Sequence, residues 1–169
     1  MNDKTCVFCE IARGSEKENV VFEDEKTIAF LDKTPVYHGH CIIIPKEHYE
    51  TLMDLTDDVT LALFKNTERL SKAVMTAMEA DGILNIINNI VSQSIPHLHV
   101  HVIPRKRGDG LKGFMWPRRP YKDEAEKLET ARKIKEIEKK KGKVVLLFGA
   151  KDEEHNQAVV LKEVLDKMR

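Results

Sequence analysis

The apolar residues of this chain change period several times, and each change marks an element. Val20-Val21-Phe22 and Thr27-Ile28-Ala29-Phe30-Leu31 are short β-branched or aromatic runs flanking the acidic turn Glu23-Asp24-Glu25-Lys26, a pattern that predicts a hairpin. Pro35 to His40 reads as a turn into Cys41-Ile42-Ile43-Ile44, a continuous apolar run expected to be a strand covered on both faces. From Thr56 the spacing becomes helical. Val59, Leu63, Leu70, Val74 and Ala77 share a stripe, with Thr56 as N-cap, Asp57 and Asp58 in the first turn and an end near Asp81-Gly82. Leu84 to Asn89 alternates as a further strand, and from Ile95 to Arg105 the alternation is strict. There His97, His99 and His101 take every second position, with Leu98, Val100 and Val102 between them, so all three imidazoles are expected to leave the same side of a sheet, roughly 7 Å apart.

Two further segments frame this centre. Cys6-Val7-Phe8-Cys9, followed by Ile11, Ala12 and Gly14, predicts a short helical turn ending at glycine. Lys122 to Lys141 is rich in Glu and Lys, with sparse apolar positions at Leu128, Ala131, Ile134 and Ile137, the pattern of a surface helix with i, i+4 ion pairs. Beyond it, Lys143 to Gly149 reads as a buried strand, and Val160, Leu161, Val164, Leu165 and Met168 as the stripe of a closing helix. The expected class is α+β: an antiparallel sheet of about five strands with one long helix packed on it, plus a C-terminal helix and a βα extension. Residues 1–121 would form one domain and 122–169 the extension.

Composition narrows the function classes. With 169 residues the chain can bury a proper core. A formal net charge of zero gives no global pull toward nucleic acid or membrane. Met1 to Thr5 is not an apolar signal segment and no run approaches the roughly 18 apolar residues that span a bilayer, so a soluble cytoplasmic protein is expected. There are three cysteines. In a reducing compartment the Cys6/Cys9 pair suits a metal half-site or a redox pair better than a structural disulfide, and Cys41 suits a small core position. The stretch Gly113 to Tyr121 joins basic and aromatic residues, as either a polyphosphate or base acceptor or a solvated loop with an aromatic anchor. No Gly-rich Walker loop occurs, which argues against kinase or motor chemistry.

His97-Leu98-His99-Val100-His101-Val102-Ile103, preceded by Gln93-Ser94 and followed by Pro104-Arg105, closely resembles the signature of the histidine triad (HIT) superfamily of nucleotide hydrolases and transferases. The likeness extends through Cys6 to Ile11, Phe30-Leu31-Asp32, and Gly39-His40 with Ile42 to His48, and covers about residues 5 to 121. The resemblance implies a zinc-bearing type in which Cys6 and Cys9 are joined as ligands by His48 and His97. The metal would then be structural, because four protein ligands close the coordination sphere. His97, directly after Pro96, stands at the strand's entry, where the chain can turn its ring away from the next two. The resemblance further implies that Asp32 and Asn85 bind the nucleotide's ribose or phosphate, that His40 lines the active site, and that the chain forms a homodimer. One departure stands out: the loop Ile90-Val91-Ser92 is shorter than usual and carries Ser92 where the family has glycine, so its course over the phosphate is expected to differ.

An imidazole has an unperturbed pKa of about 6.5 and so offers a free ring lone pair near neutral pH. His99 is therefore expected to attack the α-phosphorus of a purine nucleotide and form a covalent nucleotidyl-histidine that water resolves. His101 would assist the leaving group as general acid, and Gln93 with the Ser94 backbone N–H would donate to the phosphoryl oxygens. The leaving group, an amine, a nucleotide or another phosphate, stays open. Nucleotidyl transfer or phosphorolysis is the enzymatic alternative; a zinc-stabilised, non-catalytic nucleotide-binding module is the alternative of another class.

Overall fold

The computed structural model describes residues 6–15, 17–111 and 119–141. Their elements run α1 (Val7–Ala12), β1 (Val20–Glu23), β2 (Thr27–Leu31), β3 (Cys41–Pro45), α2 (Asp57–Ala77), β4 (Gly82–Ile86), β5 (Val100–Arg105) and α3 (Glu124–Lys141). The five strands form one antiparallel sheet in the order β1-β2-β3-β5-β4. The fold is α+β with a single long helix on the sheet, as the hydrophobic pattern predicts. The predicted βα extension over residues 143–169 and most of the basic aromatic stretch lie outside the described residues.

Pleat parity divides the core in two. Ala29, Cys41, Ile43, Leu98, Val100 and Val102 point to one side and pack under Leu63, Leu70 and Val74 of α2. Ile28, Phe30, Ile42 and Ile44 point to the other side and pack with Cys6, Phe8, Cys9 and Ile11 of the α1 segment. β3 is buried along its whole length because it lies inside the sheet with apolar cover on both faces. Burial pushes the Cys41 thiol up to about 11, so it stays protonated and serves as a small apolar filler.

Three boundaries differ from expectation. α2 stops at Ala77 rather than near Asp81: Glu79 takes the left-handed conformation at φ 49°, and Gly82 opens β4. Ala77 is exposed, while Asn66 and Thr67 are buried on the helix face. Asn66 fits there because its amide donates to Asp24 Oδ2 at 2.6 Å and to Thr27 Oγ1 at 2.9 Å, which ties α2 to the β1–β2 turn. Thr56 is the N-cap by backbone conformation, but its hydroxyl bonds the Asp58 carboxylate instead of the helix backbone. Finally, β5 begins only at Val100, so His97 and His99 lie in the bend that enters the strand.

The chain divides into two units at residues 114/115; the described element of the second is α3, whose Arg132 is paired with Glu129 and Glu136. Among the described residues no helix is long and apolar enough to cross a membrane.

Gly39, beside His40, has φ 85°, and a Cβ placed there would come within 2.5 Å of Met78 Cγ. Gly39→Ala combines backbone strain with overpacking and is expected to lower the unfolding free energy by roughly 1–3 kcal/mol in denaturant titration. A variant as stable as the parent would show that this turn is not held against α2.

Candidate functional site

Cys6 is the N-cap of α1 and Cys9 lies in its first turn, so their side chains, three residues apart, share one side of the turn. His48 arrives from the loop after β3 and His97 from the bend before β5. One ligand atom from each converges within 4.8 Å of all the others. His97 Nδ1 is 3.4 Å from Cys6 Sγ and 3.5 Å from Cys9 Sγ, and His48 Nδ1 is 3.3 Å from Cys9 Sγ. A tetrahedral ion with Zn–S near 2.3 Å and Zn–N near 2.05 Å has S···N edges of about 3.6 Å, so these separations suit one metal without rearrangement. The second nitrogen of His97, Nε2, lies 2.9 Å from the Pro45 carbonyl. A carbonyl only accepts, so Nε2 carries the proton and Nδ1 presents its lone pair to the sulfurs. Among the described residues, His48 Nε2 is the one buried side-chain nitrogen or oxygen without a partner. A cleft of about 500 Å³ lined by Cys9, Ala12, Arg13, Lys46, Glu47 and His48 opens beside the cluster.

The same logic fixes the next histidine. His99 Nδ1 lies 2.7 Å from the His97 carbonyl and must donate to it, which leaves the lone pair on Nε2. His99 is only 3% exposed. Its ring is wedged edge-on between Phe8 (centroids 5.2 Å) and His101 (4.9 Å). The ring is thus fixed in one tautomer, with Nδ1–H on the His97 carbonyl and the lone pair on Nε2.

His101 sits on β5 between its cross-strand neighbours Ile42 and Ile86. Its Nδ1 lies 2.9 Å from His40 Nε2. The Val36 N–H donates to His40 Nδ1 at 3.3 Å, so the proton of neutral His40 belongs on Nε2 and points at His101 Nδ1. Neutral His101 therefore carries its own proton on Nε2. Asp32 Oδ2 faces both rings, 3.5 Å from His40 Nδ1 and 3.9 Å from His101 Nδ1, while Oδ1 accepts from the Thr34 N–H at 2.8 Å. Burial, with the neighbouring imidazoles of His99 and His40, holds His101 at about 4 against the partial support of Asp32. Burial likewise lowers His40 below the ordinary range, again opposed by Asp32.

The structure thus brings Asp32, His40, His99 and His101 together on the α1 side of the sheet. Asn85 is not among them. Its register partner is Val102, so it leaves the α2 side of the sheet, where its carboxamide lies 3.4 Å from Ser71 Oγ. This corrects the expectation that Asn85 touches a nucleotide: strand parity puts Ile86 on the triad face instead. Gln93 lies near the loop but is engaged at both ends. Its amide donates to the Glu50 carbonyl at 2.6 Å and its oxygen accepts from the Ile90 N–H at 2.8 Å. Ser94 is exposed at the start of the bend. Ser92 adopts the glycine-like φ of 61°, and Ile90 has φ 68°. His38 is exposed.

Sequence reasoning missed Phe8, which packs on both His97 and His99, and the brace behind β5. In that brace Arg105 holds Asp109 through two hydrogen bonds, and the Tyr37 hydroxyl donates to the Asp109 carbonyl at 2.6 Å. The signal for the brace lay in the spacing of Arg105 and Asp109 around Gly108 and Gly110, both at positive φ.

Comparison with known proteins gives consistent relatives. The HIT domain model matches residues 13–108, and a model of a domain of unknown function, DUF488, matches residues 105–165. The protein hit of Bacillus subtilis (strain 168) is 38% identical over 117 residues, covering 67% of this chain and 79% of that protein. An adenylylsulfatase of Arabidopsis thaliana is 39% identical over 108 residues (63% of this chain, 55% of that protein). An adenosine 5'-monophosphoramidase of Schizosaccharomyces pombe is 31% identical over 120 residues (71% and 89%). Among solved structures, a HIT family member from Bacillus subtilis has a TM-score of 0.72 at 30% identity over 83% of this chain and 99% of that chain. A Zn-bound histidine triad family protein from Mycobacterium smegmatis has a TM-score of 0.61 at 30% identity over 80% and 99%.

The depressed histidines make stability depend on pH. Between about 6.5 and about 4 the unfolded chain binds a proton that folded His101 refuses, so this contribution is complete above about 6.5 and is lost as pH falls toward about 4. Denaturant titrations at successive pH values should show His101→Asn losing stability less steeply than the parent, by up to about 1.4 kcal/mol per pH unit in that window. Parallel curves would contradict the burial argument.

Proposed function

Since the chain belongs to the HIT domain family, we propose that it is a nucleotide hydrolase acting at the α-phosphate of adenylated, phosphoramidate or dinucleoside polyphosphate substrates. The observation that carries this reading is the orientation of His99. With Nδ1–H held on the His97 carbonyl, Nε2 offers its lone pair beside a second imidazole. Nε2 attacks the α-phosphorus and a P–N bond forms as the bond to the leaving oxygen or nitrogen breaks. Water then attacks the nucleotidyl-histidine, the P–N bond breaks, and nucleoside monophosphate leaves.

His101 needs a second proton to act as acid. In the free protein burial withholds it, but an anionic phosphate entering beside the ring favours the imidazolium, which then passes its Nε2 proton to the leaving group. Asp32, partly exposed beside His40 and His101, is a bidentate acceptor suited to ribose hydroxyls. The Ser94 backbone N–H and, on releasing the Glu50 carbonyl, the Gln93 amide would donate to the phosphoryl oxygens. The named adenylylsulfatase and monophosphoramidase relatives support adenylyl transfer to water as the common step.

Cys6, Cys9, His48 and His97 would hold zinc. Bound there with four protein ligands, the ion supplies a cross-link between α1 and the sheet rather than an activated water. A cytoplasmic homodimer belongs to the same reading, on the family likeness alone.

Incubated with adenosine 5'-phosphoramidate, adenosine 5'-phosphosulfate and diadenosine polyphosphates, the protein should release AMP. His99→Ala should lower kcat on the order of 1,000-fold or more while AMP binding, followed by calorimetry, survives. Equal turnover in the variant would overturn the assignment; binding without turnover in the parent would mark a nucleotide-binding module. For the metal, elemental analysis of protein purified without chelator should find about one zinc per chain, and a chelator entering beside Cys9 should lower the melting midpoint. Metal-free folded protein would refute the ligand set.

A further inference from the structure

A second group of potential ligands lies apart from the cysteine cluster. Asp32, His40 and His101 each present one donor atom, and these lie within 4.8 Å of one another. The nitrogens His40 Nε2 and His101 Nδ1 face each other at 2.9 Å with ring planes tilted by 46°, and Asp32 Oδ2 stands 3.9 Å from His101 Nδ1. The Thr34 N–H donates to the other carboxylate oxygen, Oδ1, so Oδ2 is the one that faces the two rings.

We propose that Asp32, His40 and His101 form a second, exchangeable site for a borderline divalent transition ion, such as Co²⁺, Ni²⁺ or Zn²⁺, inside the nucleotide pocket, and that the ion excludes substrate. Two imidazoles and one carboxylate select such ions over Mg²⁺ or Ca²⁺, which prefer all-oxygen sites. With metal–nitrogen bonds near 2.05 Å, tetrahedral N···N edges are about 3.4 Å, so the rings need only splay by a few tenths of an ångström. The ion takes the place of the proton now shared between His40 Nε2 and His101 Nδ1. That proton passes to His40 Nδ1, which gives up the contact from the Val36 N–H and has Asp32 Oδ2 3.5 Å away, so both rings stay neutral and no redox change occurs. Protons compete weakly for these nitrogens near neutral pH, because burial disfavours both imidazolium forms. The three protein donors leave coordination positions open, filled by water. The coordinated ion then occupies Asp32 and His101 together, the two groups a nucleotide would need, so binding of the ion and of substrate is mutually exclusive.

This inference concerns metal binding and is independent of turnover. The folded protein with its cysteine site loaded is titrated with Co²⁺ while binding is followed by calorimetry and by visible absorption. The expected result is one additional ion per chain, with weak ligand-field bands and no thiolate-to-cobalt charge transfer, and an affinity that falls at least about tenfold in both Asp32→Asn and His40→Gln. The zinc content of both variants should stay that of the parent, which separates this site from the cysteine cluster. No further ion up to about 1 mM, a charge-transfer band reporting thiolate ligation, or equal affinity in both folded variants would overturn the proposal. AMP release suppressed by Co²⁺ and restored by a mild chelator is the functional counterpart. A parent that binds the ion but hydrolyses nothing would sink the hydrolase reading and leave this one standing.

Discussion

The whole site hangs on one hydrogen bond, from His99 Nδ1 to the carbonyl of the residue two places before it. A carbonyl accepts and never donates, so this contact decides which nitrogen keeps its proton and which keeps its lone pair. The bond exists because the chain is still in a bend at His97 and becomes a regular strand only at Val100. In a fully paired ladder the His97 carbonyl would be committed to a neighbouring strand. The late start of β5 thus belongs to the chemistry. The ring could not hold its setting without support from the other side, and that support is pleat parity: Leu98, Val100 and Val102 are sealed under α2 and anchor the backbone from which the imidazoles project.

The second constraint is electrostatic. Three imidazoles, those of His40, His99 and His101, lie in ring contact beside one carboxylate, largely out of water. Desolvation and mutual repulsion outweigh Asp32 and keep His101 neutral in the free protein. A cluster poised in this way answers strongly to any charge that enters. An anion favours the imidazolium of His101, and a cation finds the free lone pair of His101 Nδ1 and, once the His40 proton shifts to its other nitrogen, that of His40 Nε2. The same arrangement accounts for both the proposed general acid and the proposed exchangeable ion.

Much of the architecture was legible because it rests on local periodicity. The hairpin at Glu23–Lys26, the doubly buried Cys41–Pro45 strand and the long helix from Asp57 follow from runs whose period matches their burial. The clustering of Cys6, Cys9, His48 and His97 was legible only through resemblance, since residues up to 91 positions apart share no local signal. What failed was parity and competition. Asn85 looked like a site residue by neighbourhood, but the register of β4 against β5 sends it to the helix side. Gln93 looked free to donate, but its amide is held by the Glu50 carbonyl from the segment after β3 and its oxygen by the Ile90 N–H. Ser92 and even β-branched Ile90 lie in the left-handed region, at a cost of roughly 1–3 kcal/mol each.

The CxxC turn and the proposed nucleophile share a neighbour, and this joins the two halves of the site. Phe8 stands between Cys6 and Cys9, and its ring lies 5.9 Å from His97 and 5.2 Å from His99, at 76° to each. α1 has six residues, too few to be stable by its own hydrogen bonds. Its position therefore depends on what holds the two cysteines and on the apolar packing of Phe8 and Ile11 against Ile28, Phe30 and Ile42. Through Phe8 that position reaches the His99 ring, and through His97 it reaches the carbonyl that orients the same ring. Two separate contacts from the cysteine cluster thus converge on one imidazole. A loosened α1 would free the ring from its packing and from its tautomer-fixing partner together, so the distance from cluster to nucleophile is one side chain in one direction and one peptide unit in the other.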